Sequence, residues 1–222
     1  MAWHIFLSLI GVILCFYIDY TTQTFLLGIT NLGCVLLLFG YSVTLKKKLL
    51  IGNILISVLT SWVIIVMYLC YRNSFYNHGI AGPADPNISI RFIRITMLYA
   101  GFAFVISLIR EVVKDIEDME GDARYGGKTM PIVWGVPASK MFVAVWIIVL
   151  TGGSCVVQFY VLQFGWWWSA VYCLVLIIIP LAWVLRKLYQ AKVPKDYHRV
   201  STVIKMIMFT GILSMLLFKI YS

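Results

Sequence analysis

The chain has 222 residues, of which 62% are hydrophobic and 12% are charged, and its formal net charge is +9. A typical soluble domain is about 45–50% apolar and about 25% charged. The composition therefore excludes an ordinary soluble protein and predicts an all-α, polytopic transmembrane helical bundle. The positive charge does not indicate a nucleic-acid partner, because the Lys and Arg residues lie mainly in loops on one side of the predicted spans.

Seven segments are apolar enough to be membrane spans, each of which needs about 20 residues. We expect all seven to belong to a single membrane domain, residues 1–222. The first segment is short, but it lacks the basic start and the cleavage site of a signal peptide, so it is predicted as a span. In chain order the spans cover residues 3–18, 24–42, 49–71, 92–113, 139–162, 165–186 and 201–220.

The distribution of basic residues predicts the orientation. Of the 18 Lys and Arg residues, 14 lie in or beside the loops that follow the second, fourth and sixth spans. Because cytoplasmic loops carry an excess of Lys and Arg, these loops and the N-terminus are predicted to be cytoplasmic. We expect a multi-pass integral membrane protein of the cell inner membrane, with its C-terminus outside.

Acidic residues are concentrated after the fourth span, where six of the nine in the chain lie between positions 111 and 122. On a helix, Asp115, Asp118 and Asp122 share one face, with neighbouring Cβ atoms about 5–6 Å apart. Three carboxylates near a helix C-terminus repel one another and oppose the helix dipole. A divalent cation would relieve both effects, so the spacing predicts a metal site at these carboxylates, with Asp118-x-x-x-Asp122 as half of a site for a magnesium–diphosphate complex.

Magnesium is the expected cofactor, because Mg²⁺ is held by one or two carboxylates together with phosphate oxygens of a substrate. Arg110, Lys114 and Lys128 lie close by in sequence and are predicted to contact those oxygens. A solvated charged stretch after a membrane helix would give the same pattern, and D-x-x-x-D often occurs by chance. The excess of acidic residues on the side where basic ones should predominate favours the metal site.

Two stretches resemble a known family. Residues 110–122, followed by Gly127-Lys-Thr-Met-Pro-Ile, resemble the second aspartate-rich motif of the UbiA superfamily of intramembrane prenyltransferases, in its digeranylgeranylglyceryl phosphate synthase-like branch. Residues 41–48, with Gly52 and Asn53, resemble the tyrosine–lysine loop of that family and the start of its next helix. The first resemblance is the more specific of the two.

The resemblance implies a helical bundle around a cavity that opens to the cytoplasm. It implies Mg²⁺-dependent transfer of a prenyl group from a prenyl diphosphate to a lipophilic acceptor within the membrane. By this resemblance Asp118 and Asp122 would be metal ligands and catalytic residues, with Asp115 as a helper at the same metal site. Tyr41, Ser42 and Lys46 would line the diphosphate pocket. The acceptor stays open among a glycerol phosphate lipid, a phenol or quinone precursor and a porphyrin.

The sequence departs from this family in one respect. Its seven spans correspond to the family's third to ninth helices, and the first motif, Asn-x-x-x-Asp-x-x-x-Asp, does not occur in the 222 residues. We therefore expect this chain alone to be a weak or inactive catalyst unless a missing N-terminal segment or a partner supplies that motif.

Three other functions are compatible with a polytopic membrane protein. A non-catalytic or degenerate membrane protein fragment is the main alternative. A CDP-alcohol phosphotransferase would need D-G-x-x-A-R before its paired aspartates, whereas Asp122-Ala-Arg124 follows them. A transporter would place ionisable groups near the middle of the membrane. Away from the helix ends the spans contain mainly Asn31, Asn53, Gln158 and hydroxyl groups.

Overall fold

The computed structural model describes residues 2–22, 26–43, 48–77 and 86–217. In these ranges all regular structure is helical. A π-helical turn, Leu174–Ile178, joins α8 to α9, and a 3₁₀ turn, Ser214–Leu217, follows α10. The α-helices are α1 (Ala2–Thr22), α2 (Leu26–Val43), α3 (Ile51–Asn77), α4 (Pro86–Glu117), α5 (Met119–Arg124), α6 (Met130–Val133), α7 (Gly135–Leu162), α8 (Trp167–Cys173), α9 (Ile179–Gln190) and α10 (Pro194–Leu213).

Five helical segments of the described residues are long and apolar enough to cross a membrane: Ile51–Cys70, Ile90–Glu117, Gly135–Leu162, Trp167–Gln190 and Pro194–Leu217. Two shorter apolar helices, Ile5–Thr21 and Leu26–Ser42, precede them. This confirms the predicted all-α, polytopic membrane bundle. The number of seven spans, the inner membrane and the cytoplasmic orientation stay predictions.

Contacts between residues divide the chain into two compact units. Unit 1 comprises Met1–Lys46 and Leu55–Phe102, and unit 2 comprises Lys47–Ile54 and Ala103–Ser222. α3 and α4 each contribute to both units. The prediction of a single membrane domain stays a prediction.

In unit 1, a buried carboxylate joins α1 to α2. Asp19 is 1% exposed and accepts hydrogen bonds from the backbone N–H groups of Leu27, at 3.3 Å, and Gly28, at 2.6 Å. These donors belong to the first turn of α2, where backbone N–H groups have no partner within the helix. The first predicted span ended at residue 18, whereas α1 continues to Thr22 and includes Asp19.

The two helices approach closely at Gly28. A β-carbon at this position would lie 2.6 Å from the ring of Phe16, so only glycine fits without a shift of that ring. One turn further on, the Asn31 amide donates to the Cys15 sulfur at 2.9 Å. Close packing and polar contacts therefore act together in this hairpin, as is common for membrane helices.

In unit 2, the core consists of aliphatic side chains from α4, α7, α9 and α10. α9 packs against both α7 and α10. Such side chains, each less than 2% exposed, include Ile109, Val112, Val143, Ile147, Leu181, Leu188 and Ile204.

A break in hydrogen bonding at Pro180 is repaired by a side chain of α10. Proline has no N–H, so the carbonyl of Leu176, four residues earlier, lacks its usual helical donor. The hydroxyl of Thr210 lies 3.2 Å from Leu176 O and 3.1 Å from Ile207 O of its own helix, and it shares its single proton between these two acceptors. The hydroxyl of Tyr172 donates to Thr210 O at 2.8 Å. Neighbouring hydroxyl groups often satisfy a carbonyl freed by proline in a membrane helix.

We predict that Thr210→Val lowers the free energy of unfolding by about 0.5–1.5 kcal/mol, because the Leu176 carbonyl loses its donor. The measurement is chemical unfolding in detergent micelles. Thr202→Val is the matched control, since the Thr202 hydroxyl bonds to His198 O of its own helix. Equal losses in the two variants would contradict the role given to Thr210.

Candidate active site

The acidic stretch lies on two helices that meet at a bend. α4 continues past the predicted end of the fourth span to Glu117, and α5 begins at Met119. Asp118 lies between them with φ −90° and ψ 1°. Asp118 takes part in one backbone hydrogen bond on each side of the bend. Its N–H donates to Lys114 O at 2.9 Å, and its carbonyl accepts from Asp122 N at 3.0 Å. The predicted continuous helix is thus interrupted at a residue type that favours helix starts over helix interiors.

Asp115 is held by an amide from the start of α3. The Nδ2 of Asn53, a side chain that is 7% exposed, donates to Asp115 Oδ2 at 2.7 Å. The carboxylates of Glu111, Asp118 and Asp122 are close enough to Asp115 to interact with it electrostatically. Asn53 therefore offsets part of this repulsion with a charge-assisted hydrogen bond.

Asp122 is fixed by the turn that ends α5. Gly127 N donates to Asp122 O at 2.8 Å, and Gly126 N donates to Ala123 O at 3.2 Å. Gly126 has φ +70°. This pairing is a Schellman motif, in which a residue in the left-handed conformation, usually glycine, ends the helix.

Gly127 also has little space around its α-carbon. A β-carbon there would lie 2.9 Å from Asp122 O and 3.2 Å from Asp122 Cβ. By contrast, a β-carbon at Gly121, within α5, would meet nothing within 4 Å. The glycine pair therefore holds the chain directly against Asp122.

The basic residues predicted to contact phosphate differ in their surroundings. Arg110 forms an ion pair with Glu111, and its side chain is 25% exposed. Lys114 and Lys128 are exposed, and neither has an ion-pair partner within 4.0 Å in the part of the chain that the structure describes. Both lysines are thus available to an anion, whereas Arg110 would have to exchange Glu111 for it.

A buried hydroxyl follows Lys128. Thr129 is 4% exposed, and its Oγ1 has no hydrogen-bond partner among the described residues. A buried hydroxyl without a hydrogen-bond partner is energetically costly. An oxygen atom of a ligand bound at this loop would supply the missing partner. Sequence analysis did not single out Thr129, although its position just before Met130-Pro131 is typical of a helix cap.

The remaining predicted residues belong to unit 1 or are not described by the structure. Tyr41 is half-buried and Ser42 is exposed, at the end of α2 in unit 1. Lys46 lies outside the described residues. Their predicted contact with diphosphate stays a prediction.

Within the described ranges, no three His, Cys, Asp or Glu side chains come together closely enough to hold a metal ion. A closed three-carboxylate cage is therefore absent from these ranges. Mg²⁺ does not need one, because it keeps several waters and typically takes one or two carboxylates plus substrate oxygens. The half-buried Asp122 and the exposed Asp118 fit such an open donor set.

One contact of this region was missed by sequence analysis. His198 Nδ1 and Glu117 Oε1 are 2.8 Å apart, which links the start of α10 to the end of α4. The two residues are 81 positions apart, and no local pattern pairs them. The Glu117 carboxylate therefore already has a partner within the protein.

Comparison with known proteins matches residues 1–213 to the UbiA prenyltransferase family. A digeranylgeranylglyceryl phosphate synthase from Methanosphaera stadtmanae is 26% identical over 216 residues, covering 96% of this chain and 69% of that relative. The enzyme of the same name from Thermococcus sibiricus is 31% identical over 140 residues, 63% of this chain and 42% of the relative. That from Methanothermobacter thermautotrophicus is 33% identical over 122 residues, 55% of this chain and 37% of the relative. No solved structure matches the chain.

We predict that Asn53 and Asp115 are energetically coupled. In a double-mutant cycle of Asn53→Ala and Asp115→Ala, the coupling energy should be about 1.5–3 kcal/mol, as for a hydrogen bond to a charged group. The measurement is equilibrium unfolding of the four proteins in the same detergent. Additive effects of the two substitutions would show that the bond contributes nothing.

Proposed function

Because the chain belongs to the UbiA prenyltransferase family, we propose that it binds a prenyl diphosphate at the junction of α4 and α5. The proposed reaction is Mg²⁺-dependent transfer of the prenyl group to a lipophilic acceptor within the membrane. The observation that supports it most directly is the junction itself. There Asn53 holds Asp115 and the glycine turn holds Asp122, beside two lysines that have no ion-pair partner among the described residues.

In this proposal each residue of the junction has a separate task. Asp118 and Asp122 hold the metal, and Asp115 supports them through its place in the same carboxylate group. Lys114 and Lys128 contact the phosphate oxygens, and the Thr129 hydroxyl donates to one of them. Bound Mg²⁺ would supply positive charge that stabilises the departing diphosphate. Arg110 joins these contacts once it releases Glu111.

The lipid-embedded helices have a second task, which is to accommodate the prenyl tail and keep water away from the reacting carbon. After the diphosphate leaves, the allylic carbon is electron-deficient, and water would compete with the acceptor for it. The relatives are named for digeranylgeranylglyceryl phosphate. This name supports a geranylgeranyl donor and an acceptor lipid with a glyceryl phosphate group.

Diphosphate binding is the most informative readout, because the 222 residues contain one of the two acidic motifs that the resemblance implies. That a further segment or a partner supplies the other motif stays a prediction. Binding separates the proposal from its main alternative, a non-catalytic membrane protein, which has no reason to bind a prenyl diphosphate in a metal-dependent manner.

We predict that purified protein binds labelled geranylgeranyl diphosphate in Mg²⁺ and loses binding in excess chelator. Asp118→Ala and Asp122→Ala should each weaken binding on the order of tenfold or more, because each removes a charged ligand. Glu120→Ala is the matched control, since this acidic residue is exposed on the same short helix. Equal binding by all four proteins, with or without Mg²⁺, would refute the site.

A second prediction concerns the glycine turn. Gly127→Ala should weaken diphosphate binding several-fold, because the new β-carbon forces the chain away from Asp122. Gly121→Ala should bind as the unaltered protein does, since its β-carbon meets nothing within 4 Å. Equilibrium binding of both variants is compared at matched folded fraction. Indistinguishable affinities would mean that the turn does not position Asp122.

A further inference from the structure

A second region of unit 2 has the chemistry of an anion site. Where α9 turns into α10 there is a cavity of about 290 Å³. Its lining includes the side chains of Trp183, Lys187, Gln190, Asp196 and Arg199. None of these residues belongs to the junction of α4 and α5, so the proposed prenyl diphosphate site leaves the cavity unexplained.

The cavity lies where two membrane spans end. α9 is the final part of the span Trp167–Gln190, and α10 begins the span Pro194–Leu217. The turn between them is therefore at the boundary between membrane and water. Trp183 is 41% exposed and lies one helical turn before Lys187. Tryptophan is enriched at this depth, where its ring contacts lipid near the headgroups.

Positive charge at the turn is poorly compensated. Residues 186–199 contain one acidic residue, Asp196, and its Oδ2 accepts hydrogen bonds from Lys192 N at 3.1 Å and Val193 N at 3.4 Å. In the described part of the chain, no carboxylate lies within 4.0 Å of the charged groups of Lys187 or Arg199, although Asp196 is close enough to interact with both electrostatically. Lys187 Nζ donates to the neutral side chain of Gln190 at 3.3 Å, so its charge is not neutralised by that contact. The basic residues of the segment are Arg186, Lys187, Lys192, Lys195 and Arg199.

The turn is also fixed by contacts beneath it. Ala191 O accepts from Lys140 Nζ of α7 at 2.6 Å and from the Tyr197 hydroxyl at 3.2 Å. Lys140 Nζ lies 5.4 Å from the centre of the Tyr197 ring, a cation–π arrangement. A cavity whose wall is already ordered loses little conformational entropy when a ligand binds.

We propose that this cavity binds the phosphodiester headgroup of an anionic phospholipid. Lys187 and Arg199 contact the phosphate oxygens, and Trp183 packs against the glycerol and the first carbons of the acyl chains. Basic pockets between membrane helices bind anionic headgroups in this way. A soluble phosphate has the same charged group but no acyl chain to place against Trp183, which favours the lipid.

The test uses the full chain without prenyl diphosphate, so its outcome does not depend on the proposed reaction. The protein is reconstituted in nanodiscs of equal parts dioleoyl phosphatidylglycerol and dioleoyl phosphatidylcholine, and co-released lipid is counted by native mass spectrometry. Phosphatidylglycerol should be retained in preference to phosphatidylcholine. Lys187→Gln combined with Arg199→Gln should reduce this preference on the order of tenfold, since each basic contact adds to anionic-lipid affinity.

The control is Lys192→Gln combined with Lys195→Gln, which removes the same charge from the same turn without altering the lining named for the cavity. This variant should keep most of the preference. Equal loss in both double variants would mean general attraction to an anionic surface and would overturn the proposal. Displacement of the retained lipid by millimolar glycerol 3-phosphate would instead assign the cavity to a soluble phosphate. Absence of any preference in the unaltered protein would refute the site altogether.

Discussion

The structure depends on one constraint: within a membrane, a buried polar group without a partner in the protein is costly, because no water is present to supply one. Asp19 meets it by accepting from the first turn of α2, and Thr210 meets it by donating to the carbonyl that Pro180 leaves free. The bond from Asn53 to Asp115 is a third case. Each of these three contacts links two helices at a helix end or at a break in a helix. At such positions apolar packing alone would leave a backbone group or a carboxylate without a hydrogen-bond partner.

The bend at Asp118 changes the electrostatics of the acidic stretch. Along one continuous helix, all three aspartates would lie towards the negative C-terminal end and would be disfavoured there. Because α5 starts at Met119, Asp118 lies instead between the two helices, where its side chain makes no capping hydrogen bond. The bond from Asn53 offsets part of the repulsion around Asp115. The roles of these carboxylates as metal ligands stay predictions.

Composition was sufficient to predict a helical membrane protein, whereas the acidic motif indicated candidate residues whose roles stay predictions. Helix ends were harder to predict. The fourth span was predicted to end at residue 113, whereas α4 continues to Glu117, and the seventh was predicted to begin at residue 201, whereas α10 begins at Pro194. Charged residues lower the hydropathy there, yet the backbone stays helical beyond the apolar part. The partners Asn53 and His198 could not be predicted, since they lie 62 and 81 positions from Asp115 and Glu117. The roles of Gly126 and Gly127 also required knowing that α5 ends at Arg124.

The two charged regions of unit 2 should differ in how they attract anions. Residues 110–128 contain six acidic and four basic residues, so a diphosphate approaching this stretch alone meets net negative charge. A divalent cation reverses that balance, and the affinity for diphosphate should then follow the occupancy of the metal. Residues 186–199 contain five basic residues and one acidic residue, whose carboxylate accepts from the backbone. That turn attracts anions with no metal at all, and its attraction should weaken with ionic strength because exposed charges are screened. Metal dependence in one region and salt dependence in the other therefore allow the two to be distinguished in a single protein.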